Sequence, residues 1–473
     1  MSDTTKPSAE DEPITTSDLL EEVHEEGFSL SDERIADIRA ILEEGNQESL
    51  KLVLDDLTEA ELADFFQKLD RGERKEFLSK YSDLVDADFY AHLDYELRTD
   101  ILSDMPPAKV ARIVSELESD DALDLIIDLE PQFQKEILKK LSAKDRIAIE
   151  EGLNYPEESA GRLMQREYVA IPQFWTVGKT IDYLRAAQEE LPEDFYDLIV
   201  IDPSYHVVGE IPLNRLVRAK RSEKIDDIRR EDIHIVPATM DQEEVAHLFR
   251  REDLGSAPVV DDDGRLVGVI TIDDVIDVID EEAQEDILKL AGVEESDLYR
   301  AALSTSLSRS RWLLVNLLTA FMAAGVVSLF GSTIEKVVAL AVLMPIVAGM
   351  GGNAGTQALA VAVRAIAMRE LSGTNASRAV MKEAIVGLIN GCLFAVLVGV
   401  IAALWFQTPV LGGVIGMAMI INLLTAGVFG AGIPVLLDRF DLDPAISSSV
   451  FLTAVTDTVG FFVFLGLATL LMV

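Results

Sequence analysis

One carboxylate interrupts the apolar run "VFLTAVTDTVGFFVFLGLATLLMV", residues 450–473: Asp457. A charge near the centre of a bilayer costs at least ~2.5 kcal/mol, so such groups usually face a bundle interior or a water-filled path. Thr453 lies one helical turn before Asp457 and Ser449 two turns before it, on the same face. This set offers only oxygen ligands, which suit hard cations such as Mg²⁺ and Ca²⁺. Mg²⁺ dehydrates reluctantly, so one or two carboxylates around a hydrated ion make a workable site. Two copies of Asp457 across a dimer axis would form such a ring. Asp443, in "DLDPAI", stands at the mouth of the same helix, and Glu335 stands near the far end of the first two apolar runs. The plainer reading of Asp457 is a protonated acid bonded to a neighbouring helix.

The second apolar run holds "PIVAGMGGNAGTQ", residues 345–357. Pro345 removes an amide and favours a kink. Gly349, Gly351, Gly352 and Gly355 permit close helix packing. Asn353 and Gln357 share a face one turn apart, as side chains that line a cavity or bridge helices would. No lysine follows in the manner of a phosphate-binding loop. The membrane part contains no histidine, and its one cysteine, Cys392, cannot form a disulfide framework. Enzymatic chemistry is not expected.

A second acidic constellation is "TIDDVIDVIDEEAQED", residues 271–286. It holds Asp273, Asp274, Asp277, Asp280, Glu281, Glu282, Glu285 and Asp286, with Asp274, Asp277, Glu281 and Glu285 on one side of a helix. Like charges at that spacing destabilise a helix unless water or a counter-cation screens them. The alternatives are a solvated acidic face and a cation site.

The elements that must position these residues fall into territories. The chain has 473 residues and a formal net charge of −42. From Arg309 onward there are only 8 basic and 7 acidic residues, so the acidic excess lies before it. That charge repels nucleic acid and favours cations. Residues 1–34 are acidic, lack an apolar core and are expected to form a disordered tail rather than a signal peptide. Over residues 35–154, Leu69, Leu93, Leu117 and Leu141 recur every 24 positions, as do Phe65, Phe89, Ile113 and Ile137, and Phe77, Ile101, Leu125 and Ile149. This spacing predicts two short helices per repeat, stacked into an α-superhelix. Five apolar stretches, about 312–330, 337–368, 384–406, 410–437 and 445–473, approach or exceed the ~20 residues that span a bilayer. Arg309, Arg311, Arg364, Arg369, Arg378, Lys382 and Arg439 flank one side, which puts the N-terminus in the cytoplasm.

Over residues 155–280, "IVIDPSYHVVGEIPLNRLV" (199–217) corresponds to "PVVDDDGRLVGVITIDDVI" (258–276). This doubled pattern resembles a tandem of CBS domains, an α/β module. The resemblance implies adenine-nucleotide binding, for instance of ATP, with Thr271 and Asp274 at the contacting positions; the first repeat has Pro212 and Arg215 there. The order of helical repeats, CBS pair, connecting helix over residues 281–308 and five-helix all-α membrane domain over residues 309–473, with "GGNAGTQ" and "DPA…TD", resembles the MgtE family of magnesium channels. That resemblance implies a multidomain homodimer in the plasma membrane with the pore between subunits. Asp457 would be the selectivity acid, with Ser449 and Thr453 at the other pore-helix positions and Asp443 at its inner mouth; Asn353 and Glu335 are candidates for the ion path from their own positions. It further implies that Mg²⁺ bound to the acidic cytosolic domains holds the pore closed. In the family an N-domain acid after a "PP" joins that Mg²⁺ interface; here "MPPAKVARIV" offers Ala108, Lys109 and Arg112. Two other readings stay open: a CBS-regulated, proton-coupled secondary transporter, and a membrane-anchored nucleotide sensor.

Overall fold

The computed structural model describes residues 30–44, 47–127, 129–187, 191–192, 195–293, 302–371, 373–440, 442–445 and 448–473. The expected tail over residues 1–34 lies outside them, apart from the approach to a helix at Asp32–Glu44. Two compact units divide the chain, one ending at Val275 and the other beginning at Ile276.

In the first unit the 24-residue period becomes helix pairs. Glu59–Gln67 pairs with Arg71–Tyr81, Asp88–Ala91 with Tyr95–Ser103, Pro107–Glu116 with Ser119–Ile127, and Pro131–Leu138 with Ala143–Gly152. Local chemistry sets the starts. Thr58 and Asp70 each form a reciprocal capping box, with Glu61 and Glu73 respectively. Asp94 and Ser142 cap at the repeat-equivalent positions, and Pro107 and Pro131 take first helical positions, where a missing N–H costs nothing. The repeating apolar residues form one core: Phe65, Phe66, Phe89 and Ile137 are fully buried, and Phe77, Leu125 and Ile149 nearly so. Phe66 meets both Phe77 and Phe89 edge to face.

The doubled segment forms two three-stranded sheets of one design. In the first, β1 (Ala170–Pro172) runs parallel to β2 (Asp197–Ile201), which is antiparallel to β3 (Val207–Pro212). The second repeats this with β4 (Val236–Pro237), β5 (Ser256–Val260) and β6 (Leu266–Thr271). Even the register shift recurs, at Val200/Ile201 and Val259/Val260. The halves join where equivalent residues meet: Ser256 Oγ donates to Asp197 Oδ2 at 2.9 Å. A 19-residue acidic helix, Ile272–Leu290, follows β6. Of the connecting segment expected over residues 281–308, the described part is helical to Leu290 and again from Ala302. Just past Leu290, Gly292 takes a left-handed conformation, φ 74°, and residues 294–301 lie outside the described residues.

The second unit contains, among the described residues, five helices long and apolar enough to cross a membrane: Ala302–Leu329, Ala339–Ala367, Ala376–Trp405, Pro409–Asp438 and Ser448–Met472, here called spans one to five. Span two continues through Pro345. Spans three and four cross with backbones in contact: a Cβ at Gly387 would fall on the Leu423 carbonyl oxygen, and one at Gly427 on the Glu383 carbonyl oxygen. Gly387→Ala is therefore expected to lower the unfolding midpoint in detergent by the ~1–3 kcal/mol typical of overpacking. Gly413→Ala, where nothing lies within 4 Å of the added methyl, should leave it unchanged. Equal midpoints would mean that the crossing yields freely.

Candidate ion path and cytosolic acidic clusters

Span five carries Asp457 half-buried at mid-helix, with Thr453 exposed one turn before it. Thr453 Oγ1 donates to the Ser449 carbonyl at 2.8 Å, so its hydroxyl proton is committed to its own helix and its lone pairs face outward. Ser449, Thr453 and Asp457 thus form the expected stripe. Asn353 and Gln357 lie on an exposed face of span two. The glycines around them divide. Gly351 and Gly355 pack, the latter against Leu452 of span five, whereas Gly349 and Gly352 have open space beside them.

The three expected pore acids do not share one site. Glu335 is exposed on the short helix Gly331–Lys336, which joins span five through Thr333 Oγ1 and Thr469 Oγ1, 2.9 Å apart. Thr469 lies about 18 Å beyond Asp457 along a helix rising 1.5 Å per residue. Asp443 precedes the opposite end of span five. Asp457 alone of the three lies on span five itself.

Asn422 of span four was not among the expected residues. It is fully buried, its Nδ2 donates to the Val347 carbonyl of span two at 2.9 Å, and its Oδ1 has no hydrogen-bond partner among the described residues. A Cβ on Gly351 of span two would fall on its amide, and one on Gly460 of span five would lie 2.8 Å from it. One amide therefore fixes the glycine-rich helix and the Asp457 helix together. The signal was present in "MAMIINLLTAG" (417–427), an amide inside an apolar span.

At the start of span five, Asp443 Oδ1 accepts from the Ala445 amide at 2.7 Å, and Oδ2 lies 2.7 Å from Lys289 Nζ. Lys289 also lies 2.5 Å from Glu285, one turn back on its own helix. Burial works against the Lys289 charge, but the bonds to Asp443 and Glu285 outweigh it and hold the ammonium above the usual lysine pKa. Burial, then the charge of Asp443, push Asp286 above the usual carboxylate range. Leu290 packs against the cluster of Leu359, Val363, Ala445 and Leu452.

The other end of the acidic helix belongs to the first unit. Asp274 Oδ2 accepts from Thr271 Oγ1 at 2.7 Å. Around Asp274 are the charges of Asp273 and Asp121. Glu167 accepts from the Ser119 amide and hydroxyl, at 3.2 and 2.7 Å, which ties the helical repeats to the sheet module. Burial raises Asp120 well above its usual range, with Asp274 the next cause. Burial pushes Asp274 and Glu118 up to about 7 and Asp121 to about 6. Glu118 keeps an exposed edge, so solvent screens part of that effect.

The structure thus splits the acidic stretch 273–286. Asp273 and Asp274 face the repeats, Glu285 and Asp286 belong with Lys289 and Asp443, and Asp277, Asp280, Glu281 and Glu282 lie between along the helix. Among the described residues no three His, Cys, Asp or Glu side chains are grouped to hold a metal ion. The segment after Pro106–Pro107 does not supply the facing charges: Lys109 donates to Ser82 Oγ, and Arg112 sits 4.0 Å from Glu116 on its own helix. The facing acids come at the start of the next helix, Ser119–Ile127. Glu118 occupies the position where equivalent repeats carry the caps Asp70, Asp94 and Ser142.

These shifts have a sign. A carboxylate whose folded pKa is raised costs nothing below its unfolded value near 4, and its penalty grows as pH rises to the folded value. In chelator the first unit should melt higher at pH 6 than at pH 8. Asp274→Asn should raise the pH 8 midpoint, by a gain on the order of 1–2 kcal/mol given 1.36 kcal/mol per pKa unit and some relaxation, and shrink the pH difference. A lower midpoint would mean that the Thr271 bond outweighs the burial cost.

The pattern of the family described as MgtE, divalent cation transporter, matches residues 344–467; the MgtE intracellular N domain matches residues 57–158, and a CBS domain matches residues 225–281. The chain is 35% identical over 324 residues to the magnesium transporter MgtE of Enterococcus faecalis, covering 68% of this chain and 71% of the relative. It is 36% identical over 333 residues to that of Thermus thermophilus, covering 70% and 73%. A crystal structure of the cytosolic domain of the Mg²⁺ channel MgtE in complex with ATP is 30% identical and covers 52% of this chain and 99% of that one, with a TM-score of 0.48.

Proposed function

The chain belongs to the MgtE family of divalent cation transporters, and from that premise we propose that it is a Mg²⁺-selective channel closed by Mg²⁺ on its cytosolic side. Mg²⁺ transport and a membrane location follow from the family and from the five apolar helices. The observation that carries the channel reading is Asp457, a half-buried carboxylate at mid-span on a helix whose Thr453 is exposed. A second copy of the chain would complete the ring, giving a homodimer in the plasma membrane with its N-terminus in the cytoplasm. Entry needs no ATP, because the membrane potential supplies ~2.3 kcal/mol per charge per 100 mV. The relatives are transporters by name, and an enzymatic role is not part of this reading.

Closure follows from charge. Glu118, Asp120, Asp121, Asp273 and Asp274 repel one another, and a divalent cation among them favours the closed arrangement of a two-state element. Nucleotide binding at Thr271 and Asp274 would first have to open the bond between them.

The test is Mg²⁺ entry into dye-loaded vesicles with Mg²⁺ varied on the cytosolic face. Uptake that falls as cytosolic Mg²⁺ rises supports the reading. Uptake coupled to acidification of the lumen would replace it with a proton-coupled carrier, and no uptake by folded protein would leave a membrane-anchored sensor.

A further inference from the structure

We propose that a basic groove in the helical repeats is the seat of this chain's own acidic segment, residues 18–28.

The groove lies between the helices Arg71–Tyr81 and Tyr95–Ser103 and is closed by the turn at Met105 and Pro106. Its volume is about 340 Å³, room for side chains of a short segment. Leu78, Ile101 and Met105 give it an apolar lining. Arg71, Arg74, Lys75 and Lys109 stand there against only two acids, Asp100 and Asp104. That local excess of positive charge runs against a chain of net charge −42. The superhelix does not require it. Twenty-four positions after Arg71, Lys75 and Lys109 stand Tyr95, Thr99 and Phe133, whereas Arg74 recurs as Arg98. Arg74 is committed to the carbonyls of Phe66 and Gln67, at 2.8 and 2.9 Å, and Lys109 donates to the buried Ser82 hydroxyl. On the rim, the pairs Arg71–Asp100 at 2.6 Å and Lys75–Asp104 at 3.0 Å are exposed. Exposed pairs contribute only ~0–1 kcal/mol, so an incoming carboxylate exchanges partners with little loss.

Two facts choose the occupant. Residues 18–28, "DLLEEVHEEGF", hold five acids and no lysine or arginine, interleaved with Leu19, Leu20, Val23 and Phe28. They complement a basic rim around an apolar lining. The segment also joins the described residues beside the groove. The Leu30 carbonyl accepts from Lys68 Nζ at 3.0 Å, and Lys68 directly follows Phe66 and Gln67, whose carbonyls hold Arg74. Residues 18–29 reach roughly 40 Å when extended, against about 16 Å for the wall helix Arg71–Tyr81. Such a tether gives an effective concentration on the order of millimolar, so a millimolar affinity suffices.

The test is zero-length carbodiimide cross-linking of the full chain in detergent, read by mass spectrometry, on an equal mixture of light and heavy isotope-labelled protein. Links should join Lys75 or Lys109 to Glu21, Glu22, Glu25 or Glu26, within one isotope. In pulsed acetylation, Glu21→Gln, Glu22→Gln, Glu25→Gln and Glu26→Gln made together should speed Lys75 and Lys109 by about threefold or more. The exposed Lys139 and Lys144 should keep their rates. The paired change Arg71→Gln with Lys75→Gln, both at exposed positions, should weaken the links at Lys109. No link between segment and groove overturns the proposal. Lysine rates that ignore the combined glutamine change also overturn it, and leave the groove to an acidic partner protein. Links found only between light and heavy chains overturn it in favour of a second copy's segment.

Discussion

Asp457→Ala reduces Mg²⁺ uptake by more than ~100-fold in the expected result, with the protein still folded. A carboxylate and a divalent cation about 5 Å apart attract by roughly 1.7 kcal/mol even at the dielectric of water, which is more than tenfold in occupancy. In the proposed dimer two such terms are lost, and the surroundings of a half-buried acid enlarge each. Asp457→Asn separates charge from shape, since the amide keeps the volume and loses the attraction. It should fall as far as Asp457→Ala, and Asp457→Glu should retain part of the flux. If the Asp457→Asn protein conducts like wild type, Asp457 is a packing residue, and the search moves to Asn353 and Glu335.

The second large effect concerns closure. The paired change Asp120→Asn with Asp274→Asn should flatten the response to cytosolic Mg²⁺, shrinking the flux ratio between chelator and saturating Mg²⁺ by more than ~10-fold. Both acids are held protonation-prone, first by burial and then by neighbouring carboxylates, Asp274 beside Asp120 and Asp273 and Asp121 beside Asp274. Their ionised forms oppose the packed arrangement, and a cation relieves that opposition. Amides relieve it permanently, so flux in chelator should fall toward the closed level. Moving a two-state equilibrium from 1:99 to 99:1 takes about 5.5 kcal/mol, within reach of several raised carboxylates at 1.36 kcal/mol per pKa unit. Acidification to pH 6 should act in the same direction. Flux that stays high at every Mg²⁺ level would show instead that the acids serve only as ligands. An unchanged response would remove this cluster from gating.

The sequence made much of this visible. A period of 24 residues and a doubled strand pattern are properties of one chain position compared with another, so Phe65, Phe89 and Ile137 could be placed in a core without coordinates. Spans and the exceptional Asp457 were visible because a membrane tolerates so few polar groups. What stayed hidden was long-range partnership. The acidic helix read as one cluster because helical spacing says which residues share a face, not which neighbours that face meets. Nothing in the spacing singles out Asp121, and the only local mark of Glu118 is that it breaks the capping pattern of its own repeat. Lys289 gave no sign that it would reach Asp443, more than 150 positions later. Asn422 carries a signal of its own, an amide inside an apolar span.

The seat of Asn422 has a consequence for how related sequences can differ. Its amide fills the space that side chains at 351 and 460 would otherwise occupy, so the three positions cannot vary independently. A relative with alanine at 351 or 460 should carry a smaller residue than asparagine at 422, and one with glycine at both can keep the amide. The same rule gives a compensation: Asn422→Ser should rescue much of the damage done by Gly460→Ala, although either change alone loosens the junction of three helices. Drift across these positions would then be seen as linked exchanges rather than single ones.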